Sequence, residues 1–148
     1  MRAKSLAVLA VALLALTGCA GQSSNEVSAP VGDELVGPTW SLESVVAGGA
    51  EATVQGDATL DFGEDGTMHG SAGCRGFGGD YLATDDDAIR ITSLEIDHSD
   101  CPAEIGDQET RVFDVIGEGF RADIDGDTLT ATRTGSDVSL VYRAGASR

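Results

Sequence analysis

From Leu35 to Tyr142 the apolar residues recur mostly at every second position, in runs of two or three, and turn-forming residues break each run within a few positions. A period of two places alternate side chains on one face of an extended strand, so this pattern restricts the chain to short antiparallel strands. Trp40 and Leu42 alternate with Thr39 and Ser41, and Leu60 and Phe62 with Thr59 and Asp61. Glu64-Asp65-Gly66 then turns the chain towards Met68. Ile89 and Ile91 share a face, as do Leu94 and Ile96, after the acidic turn Asp85 to Asp87. Phe120, Ala122 and Ile124 form a late strand, Asp125-Gly126 a tight turn, Leu129 and Ala131 a return, and Val138, Leu140 and Tyr142 the end of the sheet. One stretch departs from this period. Between Pro102 and Gly117, Ile105, Val112, Phe113 and Ile116 are spaced for one face of a helix, with Pro102 at its first turn and Glu104 and Asp107 at its positive end. The expected fold is α+β: a strongly curved, barrel-like antiparallel sheet of about eight short strands with one packed α-helix. Spacing alone leaves open whether the sheet closes.

The N-terminus has a different character. Arg2 and Lys4 precede the apolar run Leu6 to Leu16, which ends in Leu16-Thr17-Gly18-Cys19. Eleven apolar residues rise about 17 Å as a helix, roughly half of a hydrocarbon core, so the run reads as a secretory signal and not as a permanent span. The Leu-Thr-Gly-Cys ending resembles the bacterial lipobox, which implies a signal peptide at 1–18 and diacylglycerol on Cys19. Two acyl chains suffice for stable attachment. Residues 19–34 hold Ser, Asn, Pro and Gly with no apolar period and are expected to be a flexible tether; 35–143 are expected to form the domain and 144–148 a tail. The expected location is the extracytoplasmic face of the bacterial cell membrane, with the membrane as partner through the N-terminal lipid.

With Arg2 and Lys4 removed, 7 basic residues face 25 acidic ones, and no lysine remains. Such a chain repels phosphate backbones, so no nucleic-acid partner is expected. Cys74 and Cys101 are left once Cys19 carries lipid, and in an exported domain an even pair is most simply a disulfide. The alternative is a metal cluster of His69, Cys74, His98 and Cys101, a donor set that zinc accepts, although the spacing matches no compact zinc module. The glycines between Gly70 and Gly79 lack the Gly-Lys-Ser/Thr of a phosphate cradle and are expected to form a turn-rich corner around the disulfide, with Phe77 in the core. Asp123-Ile-Asp125-Gly-Asp127 lacks the twelve-residue calcium loop and reads as a hairpin. Ser71 near His69 and Ser99 beside His98 are neighbours in sequence without a third orienting group, and no Gly-x-Ser-x-Gly elbow occurs. Neither catalytic residues nor a cofactor is expected, and the domain is expected to be a monomer.

The folded part resembles the META domain family, which includes the HslJ-like bacterial envelope lipoproteins. Leu35-Val-Gly37-Pro-Thr-Trp40-Ser-Leu42 is similar to its opening strand, and Leu60-Asp-Phe62 with Gly66 and Gly70 to its first hairpin. Gly73-Cys74-Arg75-Gly76-Phe77-Gly78-Gly79-Asp80-Tyr81 is similar to its Gly-Cys-Asn segment; Cys101-Pro102, Glu109 and Val112-Phe113 fall at its second cysteine and helix, and Gly126-Asp127-x-Leu129 at its closing hairpin. Arg75 replaces the usual Asn, and Asp97 stands where a Thr often precedes the second cysteine. The resemblance implies a non-catalytic envelope lipoprotein in envelope maintenance or in stress or antibiotic tolerance. The charge supports an alternative, an acidic binding or inhibitor module for a basic protein or cationic ligand; metal handling through the His/Cys cluster is a further one. Finally, Glu109 sits four residues from both Ile105 and Phe113 on the apolar side of the helix, where a carboxylate needs a partner. Arg75 is the expected structural ion-pair partner, and the competing arrangement is Glu109 at the edge of the stripe in water.

Overall fold

The computed structural model describes residues 31–145, so Cys19, the signal segment and most of the tether lie outside the described residues. Among the described residues nine strands and two helices follow one another: α1 (Val31–Leu35), β1 (Trp40–Ala47), β2 (Ala50–Thr53), β3 (Asp57–Phe62), β4 (Thr67–Gly73), β5 (Gly76–Ala83), β6 (Ala88–Ile96), α2 (Ala103–Glu118), β7 (Phe120–Asp125), β8 (Thr128–Thr132) and β9 (Val138–Ala144). All neighbouring strands are antiparallel, and β1 pairs with β3 on one side and β9 on the other. The order β1-β3-β4-β5-β6-β7-β8-β9 therefore closes into an eight-stranded barrel, with β2 an extra strand on the far half of β1. Closure settles what spacing left open and removes sheet edges that would otherwise pair with other chains.

Two bulges make the alternation work. In the β5–β6 ladder Asp80 pairs with Ser93 but Tyr81 with Ile91, so Thr92 is an extra residue on β6. It moves the inward register from Ile89 and Ile91 to Leu94 and Ile96. Glu43 does the same on β1, between the pairs Leu42–Tyr142 and Ser44–Val141. Bulges of this kind bend a strand and increase its twist, which a small barrel needs.

The barrel is filled by Trp40, Leu60, Met68, Leu129, Leu140 and Tyr142, all essentially inaccessible. Burial of each leucine contributes about 1.5–3 kcal/mol. The helix α2 packs on β4, β6 and β9 with Ile105, Val112, Val115 and Ile116 inward, and Phe113 meets Phe77 edge-on at 5.8 Å. Phe77 is thus core, as the sequence implies. Pro102 stands immediately before the helix and not inside its first turn.

Regular structure reaches past both expected ends of the domain. Val31–Leu35 form α1 with Val31 and Leu35 buried, and Trp40 Nε1 donates to Leu35 O at 2.9 Å. At the other end β9 continues through Ala144, and Gly145 N donates to Thr39 O. The glycine-rich stretch is also less of a corner than expected. Gly70, Gly76, Gly78 and Gly79 lie inside strands, and only the Ala72–Arg75 link turns. Gly79 is required because a Cβ there would stand 2.0 Å from Ser93 O beside the bulge.

Burial pushes the Tyr142 phenol well above the ordinary tyrosine value. An unfolded tyrosine ionises near pH 10, so the neutral buried ring supports the fold fully below that pH, and this support is lost as pH rises. Tyr142→Phe is expected to move alkaline unfolding, followed by circular dichroism between pH 9 and 12, to higher pH. The sensitivity that remains falls partly to Tyr81, whose phenol is raised by burial and then by the charges of Asp65 and Asp33.

Candidate functional site

The densest polar constellation lies where the β4–β5 turn meets α2. Ala72 N donates to Arg75 O at 3.0 Å, closing a tight turn with Gly73 and Cys74 at its tip. Gly73 has φ +125°, and a Cβ there would meet Ile105 Cδ1 and Gln108 Nε2 at 2.7 Å, so only glycine lets the helix approach this closely. Cys74 at the tip is bonded to Cys101, with the Cα atoms 6.0 Å apart, just ahead of the helix. The disulfide reading of the pair is the one realised.

Glu109 reaches this turn from the helix. It is 1% exposed, and its Oε1 accepts hydrogen bonds from Arg75 N at 2.7 Å and Cys74 N at 3.3 Å. Its Oε2 faces Arg75 Nε at 3.2 Å. Among the described residues these two atoms are buried side-chain groups that face each other at ion-pair distance without the alignment of a hydrogen bond. The arrangement is the expected Arg75–Glu109 pair and not a carboxylate in water. Arg75 has no left-handed backbone conformation, so replacing Asn carries no strain at this position.

Gln108, which sequence reasoning missed, completes the attachment. Its Oε1 accepts from Gln55 N at 2.7 Å while its Nε2 donates to Gln55 O at 2.9 Å and Ala72 O at 2.8 Å. The side-chain amide thus imitates a strand partner for the backbone between β2 and β3. A polar residue three positions after Ile105, on the buried stripe, was the available signal.

Asp97 holds the same corner from outside: its Oδ2 accepts from Gly76 N at 2.8 Å, and its Oδ1 from Ser99 Oγ at 2.8 Å and Ser99 N at 3.2 Å. The Ser99 hydroxyl first, then the Ser99 and Gly76 amides, keep its carboxyl below the usual carboxylate range. A depressed folded value means that these bonds support the fold above about pH 3.9, the unfolded value, and fail as pH falls through the lowered one. Asp97→Asn is therefore expected to flatten the fall in melting temperature between pH 5 and 2.5, without abolishing it, because Asp65 and Asp86 are depressed in the same direction.

A profile of the META domain matches residues 33–145. The chain belongs to the META domain family. Solved structures share the fold of this META domain. An NMR structure of a protein from Burkholderia xenovorans is 16% identical, with a TM-score of 0.63 over 98% of this chain and 99% of that one. Another NMR structure is 20% identical, with a TM-score of 0.60 over 76% of this chain and 92% of that one. A crystal structure of a DUF4847 family protein from Bacteroides vulgatus is 12% identical, with a TM-score of 0.56 over 76% and 96%. No curated protein matches the sequence.

The four-residue metal set does not assemble in this META domain. Among the described residues, the one group of three or more His, Cys, Asp and Glu ligand atoms placed to hold a cation is Cys74, Cys101 and Glu109, without either histidine. His69 points to the opposite neighbour strand, 73% exposed, with Nε2 3.9 Å from Asp61 Oδ2, and Asp61 in turn accepts from Thr39 Oγ1 at 2.5 Å. His98 is exposed in the segment after β6. The physical reason is strand alternation: His69 faces out of the barrel on β4 opposite Asp61 of β3, while Cys74 lies past the end of β4. Asp123 to Asp127 form the β7–β8 hairpin, and Asp127 accepts from Arg143 at 2.9 Å. An open cleft of about 540 Å³ at the short β6–β7 seam is lined by Arg90, Arg121 and Arg133 together with Asp86 and Glu118. Within it Arg121 stands 3.9 Å from Asp86, and Arg133 pairs with Asp114 outside its lining.

Proposed function

We propose that the protein is a non-catalytic lipoprotein of the bacterial envelope, held on the extracytoplasmic face of the membrane by acyl chains on Cys19, and that its META domain serves envelope maintenance or tolerance of stress and antibiotics. The observation that carries this reading is the Leu16-Thr17-Gly18-Cys19 ending of the apolar N-terminal run, which stands directly ahead of a polar stretch and a META domain. The buried polar groups of the domain support it too, because Gln108 and Glu109 are engaged with backbone amides and carbonyls that fasten the helix. The test is relocation. Wild-type protein is expected in the membrane fraction and Cys19→Ser in the soluble one, and a deletion strain sensitised to envelope stress should regain tolerance from wild type but not from Cys19→Ser. Equal partitioning of the two forms would end the lipid-anchor reading.

The formal charge of −16 favours a second reading, an acidic module that docks a basic protein or cationic ligand. Capture from envelope extract should then recover a partner at low salt and release it at high salt, where a Debye length of about 3 Å at 1 M screens the surface. Recovery that is insensitive to salt would rule it out.

A further inference from the structure

Cys74 Sγ, Cys101 Sγ and a carboxylate oxygen of Glu109 lie within 4.8 Å of one another, and Cys101 Sγ is 4.0 Å from Glu109 Oε1. The carboxylate is buried; Oε1, the oxygen nearer Cys101, accepts from the two turn amides, and Oε2 faces Arg75 Nε at 3.2 Å without a hydrogen bond. Both cysteines are half-buried, so a reductant can reach the bond between them. Two sulfurs and a carboxylate oxygen are donors that zinc accepts; bonds of about 2.3 Å to sulfur and about 2.0–2.2 Å to oxygen set tetrahedral donors roughly 3.5–3.8 Å apart.

We propose that reduction of the Cys74–Cys101 bond converts this corner into a binding site for a thiophilic divalent cation of the zinc class, with Cys74, Cys101 and Glu109 as ligands and water in the fourth position. The reductant is a dithiol. One of its thiolates attacks a cysteine sulfur to form a mixed disulfide, its second thiol displaces the protein sulfur, and it leaves as its own disulfide. Two electrons and two protons have then passed to Cys74 and Cys101. Cation binding releases the two thiol protons to solvent, because the ligands are thiolates. In the oxidised chain the sulfurs carry no charge, and the site does not form.

Charge balance explains why Arg75 belongs here. Two thiolates and one carboxylate carry three negative charges, and a divalent cation with the Arg75 guanidinium, 3.2 Å from Glu109 Oε2, carries three positive ones. A half-buried centre that sums to zero avoids the desolvation penalty of a net charge.

The test uses the full chain with Co²⁺ as a visible probe and Zn²⁺ as its competitor. A phosphine opens the disulfide and leaves as phosphine oxide, with water supplying its oxygen and the two thiol protons, and it adds no thiolate of its own. The reduced chain is expected to bind one Co²⁺ with a near-ultraviolet thiolate charge-transfer band, and Zn²⁺ should displace it and raise the melting temperature. The oxidised chain and Cys74→Ser/Cys101→Ser should show no band. Glu109→Gln keeps an acceptor for the two turn amides and should keep the band while weakening Co²⁺ at least tenfold. Arg75→Met/Glu109→Gln, which removes both charges together, should show the same weakening if the single variant folds poorly. A reduced wild type that takes up no more Co²⁺ than the double serine variant, or glutamine variants that bind as tightly as wild type, would overturn the proposal. If reduction unfolds the chain, Zn²⁺ should refold it, since binding and folding share one free energy; a chain that stays unfolded in excess Zn²⁺ would overturn it equally.

Discussion

Glu109→Ala is expected to cost about 3–5 kcal/mol in urea unfolding, a large part of a domain's total stability. The substitution strips the acceptor from Arg75 N and Cys74 N, leaves Arg75 Nε buried without its carboxylate, and opens a cavity under the helix. Glu109→Gln can still accept from the turn amides, so its cost should be nearer 1–2 kcal/mol. Arg75→Met should cost about 2 kcal/mol, less than for a fully buried pair, because the arginine side chain is 41% exposed and water replaces part of what it gives. The double variant should lose less than the two single losses together, by about 1 kcal/mol. Additive losses would show that the two side chains act independently, and the account of the corner would fail there.

Cys74→Ser/Cys101→Ser is expected to lower stability by about 3–4 kcal/mol, the chain-entropy value for a link across 27 residues, and the melting temperature by roughly 15 °C. The bond ties the tip of the β4–β5 turn to the start of α2, and the attachments that remain nearby are the Gln108 and Glu109 hydrogen bonds. Hydrogen exchange should therefore speed up more across α2 and the turn than across β8, which pairs with β7 and β9 and not with the strands that carry the cross-linked turn. A loss under about 1 kcal/mol, or uniform acceleration through the barrel, would show that the cross-link does not hold the helix in place.

The strands that face a packed interior were legible because burial imposes a strict period of two. Where the alternation shifted phase, from Ile89 and Ile91 to Leu94 and Ile96, the cause was the extra residue Thr92, which sequence shows only as two separate apolar pairs. β2 was missed because Ala50, Glu51, Ala52 and Thr53 are all exposed and so leave no alternation. α1 escaped for a related reason: five residues with Val31 and Leu35 inward are too few to establish a helical period. Barrel closure depends on β1 pairing with both β3 and β9, contacts set by distant parts of the chain. In the corner, Glu109 announced itself because a charge on an apolar stripe must be answered. Gln108 gave a weaker signal, since a neutral amide costs less to bury. The alternative His/Cys cluster does not form because closeness in sequence to the cysteines says nothing about which face of a strand each histidine occupies.

The proposal of a lipid-anchored, disulfide-braced META domain outside the cytoplasm is tested in both halves by one intact-mass measurement under non-reducing conditions. Protein extracted from the membrane fraction should give the mass of a chain that begins at Cys19, carries the acyl-glycerol group, and has two hydrogens fewer than the dithiol form. A soluble, unacylated chain that begins at Met1, with Cys74 and Cys101 both as thiols, would contradict it.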